Sequence, residues 1–229
     1  MNTSRLIPPA RRQPKPPPPW RREVARVLIT QEQIDRRVRQ LARQIERDYR
    51  DCDLAIVALL TGTVMFLADL IRHLSLPLRL DFMGVSSYRE GTESRELVFT
   101  KELKLEVRGR DVLVVDDILD TGKTLLRVTE KLRALKPRNL RACVLLDKKA
   151  RRVENIEADY VGFSIPDLFV VGYGLDYAER YRNLPFVGVL KPEMYSPDSE
   201  VPSPESKVQS LKTKVASSKL KVLAVRPGG

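Results

Sequence analysis

Apolar and polar positions along the chain follow two different periods. A capping-box pattern at Thr30 and Gln33 precedes apolar residues at helical spacing, which are Ile34, Val38, Leu41 and Ile45. Similar patterns predict helices over 64–74 and 123–135. Short continuous apolar runs predict strands covered on both faces, at 53–60, 78–85, 111–116, 139–146, 160–163, 169–173 and 186–190. Strands alternating with helices indicate an α/β protein with a parallel sheet, whose ligands bind at the carboxyl ends of the strands.

The positive charge of the chain lies mainly at its two ends. The 229 residues carry a net charge of +11, of which +6 falls in residues 1–22 and +3 in residues 196–229. The proline runs of the first end and the Ser/Pro/Lys mixture of the second are typical of extended, solvated chain that does not supply a core. We therefore predict a folded domain over 23–195 between a disordered Pro/Arg-rich tail, 1–22, and a disordered Ser/Pro/Lys-rich tail, 196–229.

Two cysteines, Cys52 and Cys143, are too few for a disulfide framework. No apolar stretch approaches the length of a membrane span, and residues 1–20 lack the apolar centre of a signal peptide. We expect a cytoplasmic protein with no membrane partner.

The segment VLVVDDILDTGKT, residues 112–124, carries the clearest chemistry. An apolar strand leads into Asp116 and Asp117, and the next helix opens just after Asp120. Free backbone amides and the positive end of a helix attract phosphate, and adjacent carboxylates suit a sugar diol or hydrated Mg²⁺. An acidic turn that merely caps the helix would explain one Asp and Gly122 only. A Walker A loop fits poorly, because its first glycine would fall at Asp117.

This segment resembles the phosphoribosyl-pyrophosphate (PRPP) signature of type I phosphoribosyltransferases, and Asp120 resembles the version found in members that act on 6-oxopurines. The segments LLDKKARR (145–152) and DYVGFSIPDLFVVGYGLDYAERYRNLPFVGVL (159–190) are similar to further signatures of hypoxanthine(-guanine) phosphoribosyltransferases. The resemblance implies a central, mostly parallel sheet flanked by helices, with a small hood and a flexible lid loop. It also implies transfer of the 5-phosphoribosyl group from PRPP to N9 of hypoxanthine or guanine in purine salvage, with Mg²⁺ as cofactor, by a homodimer or homotetramer.

The resemblance further implies roles at the reaction centre. Asp116 and Asp117 would hold the ribose hydroxyls directly or through Mg²⁺, Asp120 would act at purine N7, and Asp176 would hold a second Mg²⁺ through water. The 5′-phosphate would be held by Thr121, Gly122, Lys123 and Thr124. Pyrophosphate would be bound by Thr61, Gly62 and Arg182. Ser87 and Tyr88 match a pair on the loop that closes over the site.

For the purine, the resemblance implies that Lys148 meets the oxygen at C6, Phe169 stacks on the base and the backbone of Val170 reads its edge. Each has a structural alternative: Phe169 suits an ordinary core strand, and Lys148 lies in a basic run that suits a solvated turn. Asp176 likewise suits a plain turn.

The chain departs from the family pattern at Thr61, where many members carry a lysine. In the family this loop binds pyrophosphate through backbone amides, often with a non-proline cis peptide. The hydroxyls of Thr61 and Thr63 remain to serve phosphate oxygens, while the lysine's positive charge is missing.

A second class of function is a PRPP- or nucleotide-sensing regulatory homologue that binds RNA or a protein partner through its basic tails. The intact segment 116–124, together with Lys148, Phe169, Asp176 and Arg182, favours an enzyme. We therefore expect PRPP and a 6-oxopurine as partners, and we do not expect nucleic acid.

Overall fold

The structure, a computed structural model, describes residues 5–6, 14–88 and 96–195. Its α-helices are α1 (Gln31–Asp48), α2 (Val64–Arg72) and α3 (Lys123–Ala134). The predicted capping box begins α1: the Gln33 amide donates to the Thr30 hydroxyl oxygen at 3.3 Å, and the Thr30 amide donates to the Gln33 side chain at 2.8 Å. Short 3₁₀ helices span Pro18–Trp20, Lys149–Arg151 and Pro192–Met194. The last of these lies in a separate unit formed by residues 191–229.

Seven strands form the main sheet, in the order β1-β8-β7-β6-β3-β4-β5. They are β1 (Arg5–Leu6), β3 (Leu54–Leu60), β4 (Leu78–Tyr88), β5 (Glu96–Lys101), β6 (Asp111–Leu119), β7 (Asn139–Asp147) and β8 (Tyr160–Ser164). All neighbours are parallel except β4 and β5, which are antiparallel. The predicted α/β fold with a mostly parallel sheet is confirmed.

Two hydrophobic clusters cover the main sheet. Alternate residues of β3 enter different clusters: Ile56 packs with α1 and α2, and Val57 packs with α3. Both residues are fully buried. Because side chains of a strand alternate between its faces, the continuous apolar run of β3 is explained by helices on both sides.

A smaller antiparallel sheet forms the hood, in the order β2-β10-β9. It consists of β2 (Val24–Ile29), β10 (Val187–Leu190) and β9 (Val170–Val171). The sequence pattern did not predict β2, and it predicted β9 as a longer strand over 169–173. Gly172 and Tyr173 have positive φ values, which ends the extended conformation there.

The structure shifts two boundaries that the sequence suggested. The polar residues 89–101 lack a regular pattern, which suits either a lid or a surface loop, whereas Glu96–Lys101 pairs with β4; residues 89–95 lie outside the described residues. Within the tail predicted over 1–22, the structure describes residues 14–22, which contact the domain: Pro16 is buried, and the Val27 amide donates to the Pro14 carbonyl at 3.2 Å. The rest of the tails, apart from β1, lies outside the described residues. None of the helices in the described ranges is both long enough and apolar enough to cross a bilayer.

Candidate active site

A cavity of about 460 Å³ lies at the carboxyl ends of the neighbouring strands β3 and β6. Its lining includes most of the predicted phosphate, ribose and pyrophosphate residues, namely Thr61, Gly62, Asp116, Asp117, Asp120, Thr121, Gly122, Thr124, Asp176 and Arg182. These residues come from three separate parts of the chain. Parallel strands end at the same edge of a sheet, so the fold brings these loops together there.

The first turn of α3 forms one side of the cavity. Gly122 begins the helix with φ +90°, a conformation that favours glycine. A Cβ at Gly122 would lie 2.9 Å from the Ile156 side chain, so the turn after β7 packs directly against it. The Lys123 amide donates to the Thr121 hydroxyl oxygen at 3.5 Å. The hydroxyls of Thr121 and Thr124 and the amino end of this helix together suit a phosphate group. Lys123, also predicted to hold the phosphate, is exposed and is not among the lining residues.

Two adjacent carboxylates form the floor of the cavity. Asp116 is 9% exposed, and its Oδ1 accepts hydrogen bonds from the Asp117 amide at 2.9 Å and the Thr63 hydroxyl at 3.2 Å. Burial raises the pKa of Asp116 well above its ordinary value, and the charge of Asp117 raises it further. Burial also raises the pKa of Asp117, although hydrogen bonding to Asp116 and the charge of Arg182 oppose that rise. The pair concentrates negative charge where a cation or hydroxyl donors would stabilise it.

The loop after β3 follows the family pattern in its backbone. The Leu60–Thr61 peptide bond is cis. Thr61 is exposed at the cavity, whereas Thr63 is 1% exposed and donates to Asp116. The Thr63 hydroxyl was expected to serve phosphate oxygens, but it is already used to orient a carboxylate.

The loop between β9 and β10 closes the opposite side of the cavity. Arg182 pairs with Asp176 at 2.9 Å and donates to the Gly174 carbonyl at 2.7 Å. Gly174 has φ +98°, and a Cβ there would overlap the Gly62 carbonyl oxygen. A Cβ at Gly62 would in turn overlap the Asp117 carboxylate. The pyrophosphate candidates Thr61 and Gly62 on one side and Arg182 on the other therefore belong to segments in direct backbone contact.

Asp120 projects into the cavity with part of its carboxylate unsatisfied. Its Oδ1 is buried and accepts no hydrogen bond from the described residues, and the nearest cation is Arg151 Nε at 3.8 Å. Arg152 fixes the backbone around it by donating to the carbonyls of Asp120 at 3.0 Å and Leu119 at 3.1 Å. The sequence reasoning missed Arg152, because a basic run after a strand carries no signal that one of its members turns inward.

The purine-binding candidates do not line this cavity. Lys148 directly follows β7, is 5% exposed and has its Nζ 3.6 Å from an Asp167 carboxylate oxygen. Phe169 is half-buried and meets Tyr177 edge-on, with the ring centroids 5.5 Å apart. Val170 pairs with Val189 in the hood. Lys148 is thus a buried lysine rather than part of a solvated turn.

The predicted lid pair lies at the end of β4. Ser87 pairs with Leu97 and Tyr88 with Glu96 in the β4–β5 ladder. Their side chains lie outside the described part of the chain.

No group of three or more His, Cys, Asp or Glu side chains capable of holding a metal occurs among the described residues. Mg²⁺ in phosphate-handling sites is commonly bound by one or two carboxylates together with substrate oxygens. The adjacent, mutually repelling carboxylates Asp116 and Asp117 fit such partial coordination.

Comparison with known proteins agrees with this geometry and identifies the family to which the chain belongs. The family model of the phosphoribosyl transferase domain matches residues 29–178. A hypoxanthine-guanine phosphoribosyltransferase of Bacillus subtilis (strain 168) is 46% identical over 174 residues, covering 76% of this chain and 97% of that protein. Its counterpart in Staphylococcus aureus (strain Mu50 / ATCC 700699) is 49% identical, covering 76% and 98%. A crystal structure of a hypoxanthine phosphoribosyltransferase from Staphylococcus aureus superposes with a TM-score of 0.73 at 48% identity, covering 76% of this chain and 96% of that one. The chain belongs to the phosphoribosyltransferase family, in its hypoxanthine-guanine branch.

Proposed function

We propose that the protein transfers the 5-phosphoribosyl group of PRPP to N9 of hypoxanthine or guanine, releasing pyrophosphate and giving IMP or GMP. This reaction salvages purines, and we place it in the cytoplasm. The names of the relatives support this activity. Nothing in the comparisons favours the alternative of a PRPP-sensing regulator.

One observation carries the proposal: a single cavity joins a carboxylate pair, the amino end of a helix and an arginine. Each matches one part of PRPP. The first turn of α3 would hold the 5′-phosphate, Asp116 and Asp117 would hold the ribose hydroxyls, and Arg182 with the backbone around Gly62 would hold the pyrophosphate. A molecule that carries all three groups in this order is the ligand that the cavity suits.

Magnesium fits the proposal through Asp116 and Asp117, with Asp176 as a further carboxylate at the pyrophosphate end. When bound, Mg²⁺ would neutralise charge on the pyrophosphate leaving group. Arg182 would contribute to the same neutralisation from the protein, and fixed charges of this kind are a large part of catalysis.

The proposed chemistry is displacement of pyrophosphate from C1′ by N9, with inversion and an oxocarbenium-like transition state. Asp120 would accept the N7 proton as the base becomes nucleophilic. Its side chain lines the cavity and is 32% exposed, which suits this role because a carboxylate oxygen open to the cavity can receive a proton.

Lys148 would select 6-oxopurines by donating to the oxygen at C6, where adenine presents an amino group. The amino group of adenine would leave the buried Lys148 ammonium facing another donor and without a hydrogen-bond acceptor, so adenine is disfavoured. Phe169 would stack on the base.

We also propose that two or four copies of the chain assemble into a homo-oligomer.

The decisive experiment is a coupled assay with PRPP, Mg²⁺ and each of hypoxanthine, guanine, xanthine and adenine. We expect turnover with hypoxanthine or guanine and none with adenine. A matched pair of variants separates site from fold: Asp117→Asn should abolish turnover, while Asp51→Asn, on the surface outside the cavity, should leave it unchanged. Absence of turnover with every 6-oxopurine would overturn the proposal.

A further inference from the structure

The proline-rich segment before β2 folds back onto the hood. The Val27 amide donates to the Pro14 carbonyl at 3.2 Å, and Arg21 Nε donates to the Pro16 carbonyl at 3.0 Å. The 3₁₀ turn Pro18–Trp20 then leads into β2. Because proline restricts the backbone before folding, this segment loses little conformational entropy when it folds. It is a preorganised strap, defined here as residues 14–23.

Besides its hydrogen bond to Val27, the strap contacts the loop 178–181. The Trp20 ring meets the Tyr181 ring edge-on with centroids 6.0 Å apart. The Glu23 carboxylate accepts from Arg180 at 2.9 and 3.1 Å, and the Arg180 guanidinium lies 5.0 Å from the Tyr181 ring centroid. Tyr181 is only 3% exposed although its neighbours Ala178, Glu179 and Arg180 are exposed. The strap therefore holds this loop through two adjacent residues, Arg180 and Tyr181.

The backbone of this loop has an unusual conformation, held in part by Tyr177 and Arg180, whose amides donate to each other's carbonyls at 3.3 and 3.1 Å. Ala178, Glu179 and Tyr181 all have positive φ values, of 49°, 61° and 77°. Residues with a Cβ rarely adopt this conformation, and several together persist only where surrounding contacts fix them. The Glu179 amide is held by Asp176 at 3.0 Å, which secures the start of the loop. Trp20 and Glu23 secure its end.

The secured end is next to the candidate pyrophosphate site. Arg182 directly follows Tyr181 and is the one lysine or arginine among the described residues that line the cavity. Thr61 stands where many family members have a lysine, so the orientation of Arg182 matters more in this chain. A shift of the loop would move the Arg182 guanidinium away from Asp176 and Gly174.

We propose that the strap is a positioning element for the pyrophosphate half of the PRPP site, acting through Arg180 and Tyr181 on Arg182. This inference rests on the proposed function. It assigns Trp20 and Glu23 a part in PRPP affinity, although neither lines the cavity.

The test compares full-length variants by calorimetric titration of PRPP with Mg²⁺ in the absence of purine, and by steady-state kinetics. Trp20→Ala and Glu23→Gln should each raise the Kd and the KM for PRPP about 3- to 10-fold, the range expected for one aromatic or charged contact. The KM for hypoxanthine should stay unchanged. Trp20→Phe, which keeps an aromatic edge against Tyr181, should recover most of the affinity. Lys15→Ala, at an exposed position of the same strap that keeps all of its prolines, is the matched control and should match wild type.

The outcomes separate this inference from the proposed function. Wild-type protein that neither binds PRPP nor turns over would refute the proposed function. The inference alone would be refuted by a different result, in which the wild-type protein is active and the Glu23→Gln and Trp20→Phe variants fold. In that result, Glu23→Gln and Trp20→Ala bind PRPP as tightly as wild type. Equal changes in the KM for PRPP and for hypoxanthine would also refute it, because a general loss of structure affects both substrates.

Discussion

Gly174→Ala is the substitution that most directly tests how the cavity is built. Gly174 lies in the loop between β9 and β10, with φ +98°, and its Cα faces the Gly62 carbonyl. An added Cβ would come closer to that oxygen than the 3.0 Å below which side-chain carbons are essentially never found. The obstacle is backbone on both sides, so no side chain can rotate away to relieve the overlap.

The expected cost has two parts. An alanine in the left-handed region costs about 1 kcal/mol relative to glycine. The overlap adds roughly 1–3 kcal/mol, the usual range for overpacking a close-packed site. Gly109 supplies the matched control: it also has positive φ, +71°, but a Cβ there would meet nothing within 4 Å. Gly109→Ala therefore carries the first cost without the second.

The assay is urea denaturation of both variants together with the KM for PRPP and for hypoxanthine. We expect Gly174→Ala to be less stable than Gly109→Ala by about 1–3 kcal/mol. We also expect its KM for PRPP to rise by about tenfold or more, since small misplacements in a site are costly. The reasoning would be refuted if the two variants proved equally stable and bound PRPP equally well.

Three further substitutions probe the chemistry of the site. Asp120→Asn should leave the Kd for PRPP nearly unchanged and lower kcat by about 10²–10⁴-fold, and unchanged turnover would exclude a role as base. Asp116→Asn should raise the Tm of the ligand-free protein by about 2–4 °C at neutral pH and weaken PRPP binding. Burial raises the pKa of Asp116 in the folded state, so the ionised carboxylate destabilises the fold at pH values above that raised pKa. Below the pKa of Asp116 in the unfolded chain, the carboxyl is protonated in both states and this destabilisation is absent. The gain in Tm from Asp116→Asn should therefore vanish in acid. Lys148→Ala should raise the KM for hypoxanthine by about tenfold or more with little effect on PRPP, and the opposite pattern would argue against its placement at C6.

The parts of the fold that the sequence predicts well are those governed by local pattern. The cap at Thr30, the buried strand β3 and the strand-to-helix turn 116–124 each depend on residues adjacent in sequence, and periodicity or residue type reveals them. The phosphate and ribose candidates belong to the same turn. All of them except Lys123 line one cavity, because parallel strands end at one edge of the sheet.

The parts that the sequence does not reveal depend on contacts between distant residues. β2 and β5 are short, and pairing with β10 and β4 determines them more than their own pattern does. Arg152 looks like any member of a basic run until its hydrogen bonds to the backbone of the 116–124 turn are visible. The sequence of the proline-rich strap predicts disorder, because the residue that it contacts, Tyr181, lies some 160 positions away along the chain.

The contact of Asp117 with Gly62, and of Gly62 with Gly174, has a consequence for which molecules the site can recognise. Gly174 lies against the Gly62 backbone and the Asp117 carboxylate lies against Gly62 itself, so these contacts fix the distance between the sugar end and the diphosphate end of the cavity. A rigid spacing favours a ligand that joins both ends covalently, because the second contact then forms without a further loss of translational freedom. Ribose 5-phosphate and free pyrophosphate, each half of that ligand, should bind far more weakly than their union. The three packed segments thus select ligands by the distance between their sugar and diphosphate groups.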